Sequence, residues 1–119
     1  MKGENIVKEK SYQFALRIVK LDKYLRDKKK EFVLARQILR SGTSIGALVN
    51  EGEQAESKAD FIHKFAIALK EANETDYWLS ILKDSELITT NMYNSLHLDL
   101  LELLKLLTSI IKSTKKMDN

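Results

Sequence analysis

The stretch FIHKFAIALKEANETDYWLSIL, Phe61 to Leu82, decides how the chain folds. Phe61, Phe65, Ala68, Ala72, Thr75, Leu79 and Leu82 recur at alternating spacings of four and three, the repeat that keeps one seam of a helix turned toward a neighbour. Just upstream, in ESKADF, Ser57 is placed to cap the free amides of a helix start, and Asp60 can reach back or complement the dipole. The stretch predicts an amphipathic helix made for a bundle core.

The same period extends in both directions. Between about 8 and 27, Phe14, Ile18, Leu21 and Leu25 share one face. The run RDKKKE, Arg26 to Glu31, reads as a tight polar connection into a helix of about 31 to 54, with Phe32, Ala35, Leu39, Gly42, Gly46 and Val49 on one stripe. After the break DSELITTN, a fourth helix of about 90 to 114 carries Tyr93, Leu96, Leu100, Leu103, Leu107 and Ile110. Beside that stripe His97, Leu101, Leu104 and Ile111 widen the apolar face, which predicts contact with another subunit. No strand-like alternation competes, so the fold class is all-α: an antiparallel up-down-up-down four-helix bundle over 1–114 that assembles into a homo-oligomer, with a disordered tail at 115–119.

Three of the four glycines fall in LRSGTSIGALVNEGEQAES, Leu39 to Ser57, in a chain without proline. Gly42 and Gly46 on the apolar face predict close approach of a neighbouring helix, and Gly52 predicts helix termination ahead of the Ser57 cap. Trp78, the only tryptophan, is expected as a core or subunit anchor, as are Leu101 and Leu104 at an interface.

The 119 residues suffice for one domain with a core. The chain has no cysteine, its N-terminus MKGENIVKEK lacks the apolar centre of a signal peptide, and Asp99, Glu102 and Lys105 interrupt its most apolar segment. A soluble cytoplasmic protein without a membrane partner is expected. Charge is unevenly distributed: residues 1–40 hold 12 Lys/Arg against 5 Asp/Glu, whereas residues 41–100 hold 4 against 10. Helix faces that neutralise one another are one explanation, and a basic surface for phosphate is the other. The second rests on Arg17, Lys20, Lys23, Arg26, Lys28, Lys29, Lys30, Arg36 and Arg40. With the tyrosines scattered, backbone contact with RNA or DNA is the expected mode.

Catalytic chemistry finds little support. A di-iron bundle needs paired Glu-x-x-His motifs, but only Asp60-Phe-Ile-His63 approaches the spacing, and the residue three before His97 is Asn94. The helical ribonuclease-toxin signature places an arginine four to six residues before a histidine, and neither His63 nor His97 has one. There is no Walker or dinucleotide fingerprint, and Ser41 and Ser44 have no histidine nearby in sequence. No cofactor or metal is expected.

Arg40, Ser44-Ile45, Asn50-Glu51-Gly52, Ser57, Asp60-Phe61, Ala68, Lys70-Glu71, Glu74-Thr75 and Tyr77-Trp78-Leu79 together resemble the 23S rRNA-intervening-sequence proteins, also called S23-type. SYQFALRIVKLDKYL, Ser11 to Leu25, is similar to that family's first helix, and Gly46 stands where many members carry proline. The resemblance implies a four-helix bundle in a ring-like homopentamer with no established enzyme activity. Some members are encoded within intervening sequences of rRNA genes. Related pentamers are accessory proteins of diversity-generating retroelements, whose basic barrel binds nucleic acid and a reverse transcriptase. The expected function is therefore a non-enzymatic oligomer that binds RNA or DNA or serves a nucleic-acid enzyme such as a reverse transcriptase. The alternative is a purely structural or protein-interaction module.

Overall fold

The structure is a computed structural model that describes residues 2–117, with side chains from Gly3 onward. Four helices form: α1 (Lys2–Lys28), α2 (Val33–Glu53), α3 (Lys58–Asp84) and α4 (Thr90–Lys116). They pack into a compact bundle of 51 × 22 × 19 Å. Each helix lies against its sequence neighbours, α4 closes against α1, and the diagonal pairs do not approach one another. No helix of the described residues is long and apolar enough to cross a membrane.

The core follows the apolar stripes. Phe14, Ile18, Leu21 and Leu25 from α1, Phe65, Ala68, Ala72, Leu79 and Leu82 from α3, and Leu96, Leu100, Leu103, Leu107 and Ile110 from α4 are buried in one interior cluster. Deep burial of this many aliphatic and aromatic side chains, each contributing roughly 1.5–3 kcal/mol, drives the assembly of helices that would be marginal alone.

α1 begins well before residue 8, because Val7 is fully buried and extends the core stripe, and Glu4 complements the dipole in the first turn. Ser11 joins that buried stripe at little cost, since its hydroxyl donates to the Lys8 carbonyl at 3.1 Å. α4 likewise runs past 114. Lys115 and Lys116, expected in the tail, form its last turn, where cations suit the carbonyl end of the helix. Asp118 and Asn119 of the expected tail lie outside the described residues.

On α2 the buried line is Ala35, Ile38, Gly42, Ile45, Val49 and Gly52. The expected stripe shares Ala35, Gly42 and Val49 with it, but Ile38 and Ile45 point inward because they bring more apolar volume to the centre than Gly46. Leu39 and Gly46 are half-buried to one side, and Phe32 lies ahead of the helix at 53% exposure. Gly52 does not terminate the helix through backbone freedom: no glycine has a positive φ, and α2 continues to Glu53. The side chain it lacks is what matters, since a Cβ there would stand 2.6 Å from Cε1 of Phe65.

The ends are finished locally. The Ser57 hydroxyl accepts from the Asp60 amide at 3.0 Å, as its position predicts, and the Asp60 carboxylate accepts from the Glu56 amide at 3.4 Å. Thr89 caps α4 in the same way, accepting from the Met92 amide at 3.1 Å. Glu86, with φ 63°, closes α3 in a left-handed turn in which its amide donates to the Lys83 carbonyl and that of Leu87 to the Leu82 carbonyl.

Candidate nucleic-acid interface

The nine basic residues singled out from the sequence divide into two groups. The first comprises arginines held by carboxylates. Arg17 bridges α1 to α4: Nη1 donates to Asp99 Oδ2 at 2.6 Å and to the Ser95 carbonyl at 3.2 Å, and Nη2 donates to Ser95 Oγ at 2.7 Å. Arg26 donates to Asp22 Oδ1 at 2.8 Å one turn back and lies over the Phe32 ring at 5.9 Å. Arg40 donates from Nη1 to Glu71 Oε1 at 2.9 Å and from Nη2 to Glu74. These guanidinium groups tie helices or turns together.

The second group is Lys20, Lys23, Lys28, Lys29, Lys30 and Arg36, all exposed. None has an ion-pair partner among the described residues. They occupy the last turns of α1, the α1–α2 connection and the first turn of α2, so they collect in the half of the bundle that holds this turn. Lys29 and Lys83 line one hollow of about 550 Å³ with Thr89 and Thr90, which places the start of α4 at the same end. Asp84 and Glu86 also line that hollow. Lys83, which sequence reading passed over, is held 4.3 Å above the Tyr93 ring, and only its place in the last turn of α3 signalled it.

Elsewhere the basic and acidic segments do neutralise one another. Lys8 meets Glu53 of α2 at 2.9 Å, Lys10 meets Glu102 of α4 at 3.1 Å, and Lys64 of α3 meets Glu51 at 3.2 Å. Neutralisation between helices thus accounts for part of the basic segment's charge and leaves the six exposed cations outside it.

The densest cluster of polar contacts lies on the α2–α3 seam. Glu74 accepts both from Arg40 and, at 2.9 Å, from Trp78 Nε1. Behind it, buried Ser41 and Thr75 join at 2.9 Å. Thr75 also donates to the Glu71 carbonyl at 2.8 Å, so its single proton goes there and Ser41 supplies the other bond. Trp78 is half-buried against the core of the bundle and meets Tyr77 edge-on at 5.1 Å between centroids. Ser44 donates to the Arg40 carbonyl at 2.6 Å, and His97 Nε2 lies 3.2 Å from Asp76 Oδ1, stacked on Tyr93. Arg40→Ala is expected to lower stability by about 1 kcal/mol in urea unfolding, leaving Glu71 and Glu74 as neighbouring like charges.

On α4, Ile111 is buried within the chain and Leu104 is half-buried, whereas Leu101 is 38% exposed and Leu98 is 70% exposed. Tyr77 stands open on α3. A second apolar row, Tyr12, Leu16 and Val19, faces outward on α1 at spacings of four and three, a signal present in the sequence but masked by the stronger core stripe.

Fold and seam define an all-helical bundle whose characteristic residues bind α2 to α3. The chain belongs to the 23S rRNA-intervening sequence protein family, whose profile matches residues 3–109. It is similar to a crystal structure, at 1.70 Å resolution, of a protein with unknown function from the S23 ribosomal protein family of Bacteroides thetaiotaomicron VPI-5482. That protein is 59% identical, with 92% of this chain and 98% of that chain covered and a TM-score of 0.92. Among curated proteins nothing matches. Neither description names an enzyme activity.

Proposed function

We propose that the protein works without catalysis, as a self-associating cytoplasmic bundle that holds RNA or DNA by its phosphates. The observation that carries this is the set of six exposed cations without ion-pair partners among the described residues, gathered in the half of the bundle that holds the α1–α2 turn, where Arg17, Arg26 and Arg40 are paired. Phosphate contact needs mobile, unpaired cations more than any motif. A nucleic-acid enzyme such as a reverse transcriptase fits the same role as a protein partner.

An up-down-up-down order is supported by the connections 29–32, 54–57 and 85–89. At roughly 3.5 Å per residue they are far shorter than the ~40 Å needed to return along a 27-residue helix. Self-association is supported by apolar side chains exposed on different helices, Tyr12, Leu16 and Val19 on α1, Tyr77 on α3, and Leu98 and Leu101 on α4. Unlike faces make a head-to-tail contact, which closes into a ring when the rotation allows it. The number five comes from the family resemblance. A monomer by light scattering at micromolar concentration would overturn the ring.

The purely structural reading is favoured by the three interhelical pairs Lys8–Glu53, Lys10–Glu102 and Lys64–Glu51. Titrating labelled RNA and DNA at roughly 50 to 200 mM salt separates the two readings. A log-log decline of affinity with salt is expected. Absence of binding at low salt, or an affinity indifferent to salt, would leave the structural role.

A further inference from the structure

We infer that the nucleic acid held at the basic end is single-stranded, with one base stacked on Tyr24. The inference rests on the phosphate reading above and goes further in assigning an aromatic platform and excluding a duplex as the preferred form.

Tyr24 is half-buried on α1 and is the one aromatic residue that lines both hollows at this end. The first hollow, about 270 Å³, lies between α1 and α4. Its apolar wall is Leu21, Met92 and Leu96, and Arg17 and Lys20 stand at its edge. The second adjoins it at Tyr24 and reaches Lys29. A space slightly below the range of about 300–1,000 Å³ typical of ligand pockets suits one planar ring.

Lys20, Tyr24 and Lys28 are spaced four and four on one helix, so they form a row with the ring between two exposed, unpaired lysines. Cation, aromatic and cation in line is the order in which a strand presents phosphate, base and phosphate when a base is turned out. Arg17 is fixed by Asp99 and Ser95, so it forms a rigid wall, while Lys20 is exposed and has no ion-pair partner among the described residues. Asp84 and Glu86 repel phosphate from the outer part of the second hollow, which sets the strand over Lys20 and Lys28 rather than over the α3–α4 turn. A duplex keeps its bases stacked on one another, so it can meet the lysines but cannot fill the hollow.

The test compares a labelled oligo-dT or oligo-U strand with a short duplex of random sequence, using the parent, Tyr24→Leu and Tyr24→Phe. Tyr24→Leu keeps an apolar body against the core and is expected to lose at least about fivefold in single-strand affinity with duplex affinity unchanged. Tyr24→Phe is expected to retain single-strand binding. Equal single-strand affinity in Tyr24→Leu, or equal losses for both nucleic acids, overturns the stacking and leaves phosphate binding intact. If the parent binds neither, both readings fall. Should Tyr24→Leu not fold, a strand carrying 2-aminopurine decides with the parent protein alone: quenching on binding is expected, and full fluorescence in the bound state overturns the assignment.

Discussion

Gly52→Ala and Gly42→Ala are each expected to lower stability by about 2 kcal/mol, whereas Gly46→Ala leaves it unchanged or slightly raised. A Cβ on Gly52 would stand 2.6 and 2.8 Å from Cε1 and Cδ1 of Phe65, a fully buried ring stacked on Phe61 with centroids 4.3 Å apart. The ring cannot withdraw without disturbing its stack. A Cβ on Gly42 would meet three atoms of buried Ile18, including its Cβ at 3.3 Å, and a β-branched side chain has little freedom to turn away. Overpacking of this kind costs roughly 1–3 kcal/mol, against which alanine recovers up to ~1 kcal/mol of helix propensity. At Gly46 the nearest atoms belong to Ser11 at 3.4 Å, an ordinary contact, so the propensity gain is not opposed. Urea midpoints of the three variants check the ranking. A melting temperature unchanged in Gly52→Ala, where a fall of roughly 8 °C is expected, would show that the α2–α3 seam yields more readily than its geometry implies.

These glycines show how much of the fold is legible in the sequence. The heptad seam from Phe61 to Leu82 fixes α3 because its period is strict and its Ser57 cap local, and both are physical facts about one segment. The breadth of the α2 face leaves its innermost line ambiguous, and only packing shows Ile38 and Ile45 buried with Leu39 and Gly46 to one side. Gly52 sits where helices end and so reads as a terminator, but its partner Phe65 belongs to the next helix and only packing reveals the contact. The candidate interface was partly legible for the same reason. Charge along the chain locates the basic segment, yet Arg17 is claimed by Asp99 from 82 residues away and Arg40 by Glu71 and Glu74 across the seam. Linear charge counts both arginines as available. The second apolar row on α1 and the position of Tyr24 between two hollows depend on what the other helices leave uncovered.

Replacing Lys28, Lys29 and Lys30 together by glutamine is expected to make the salt dependence of nucleic-acid binding shallower by about 2 in log-log slope for a single strand, through the loss of three released counterions at roughly 0.7 each. For a duplex the change is slightly larger, since each contact there releases about 0.9. The three lysines are exposed, unpaired with any carboxylate among the described residues, and placed where α1 ends and the chain turns. Glutamine keeps the length and hydrogen bonding of the side chain and removes only the charge. Lys30 has φ 54°, a left-handed conformation that glutamine tolerates no worse than lysine, so the turn and the melting temperature should be preserved. Arg40→Ala should behave in the opposite way, with stability lowered and the salt slope unchanged, because its guanidinium already faces Glu71 and Glu74. Anisotropy titrations at four salt concentrations, run beside urea unfolding, distinguish the two variants. An unchanged slope in the triple variant would move the phosphate contacts off the α1–α2 turn. A slope lowered equally by Arg40→Ala would show that phosphate displaces the carboxylates of α3 and that the seam opens when nucleic acid binds.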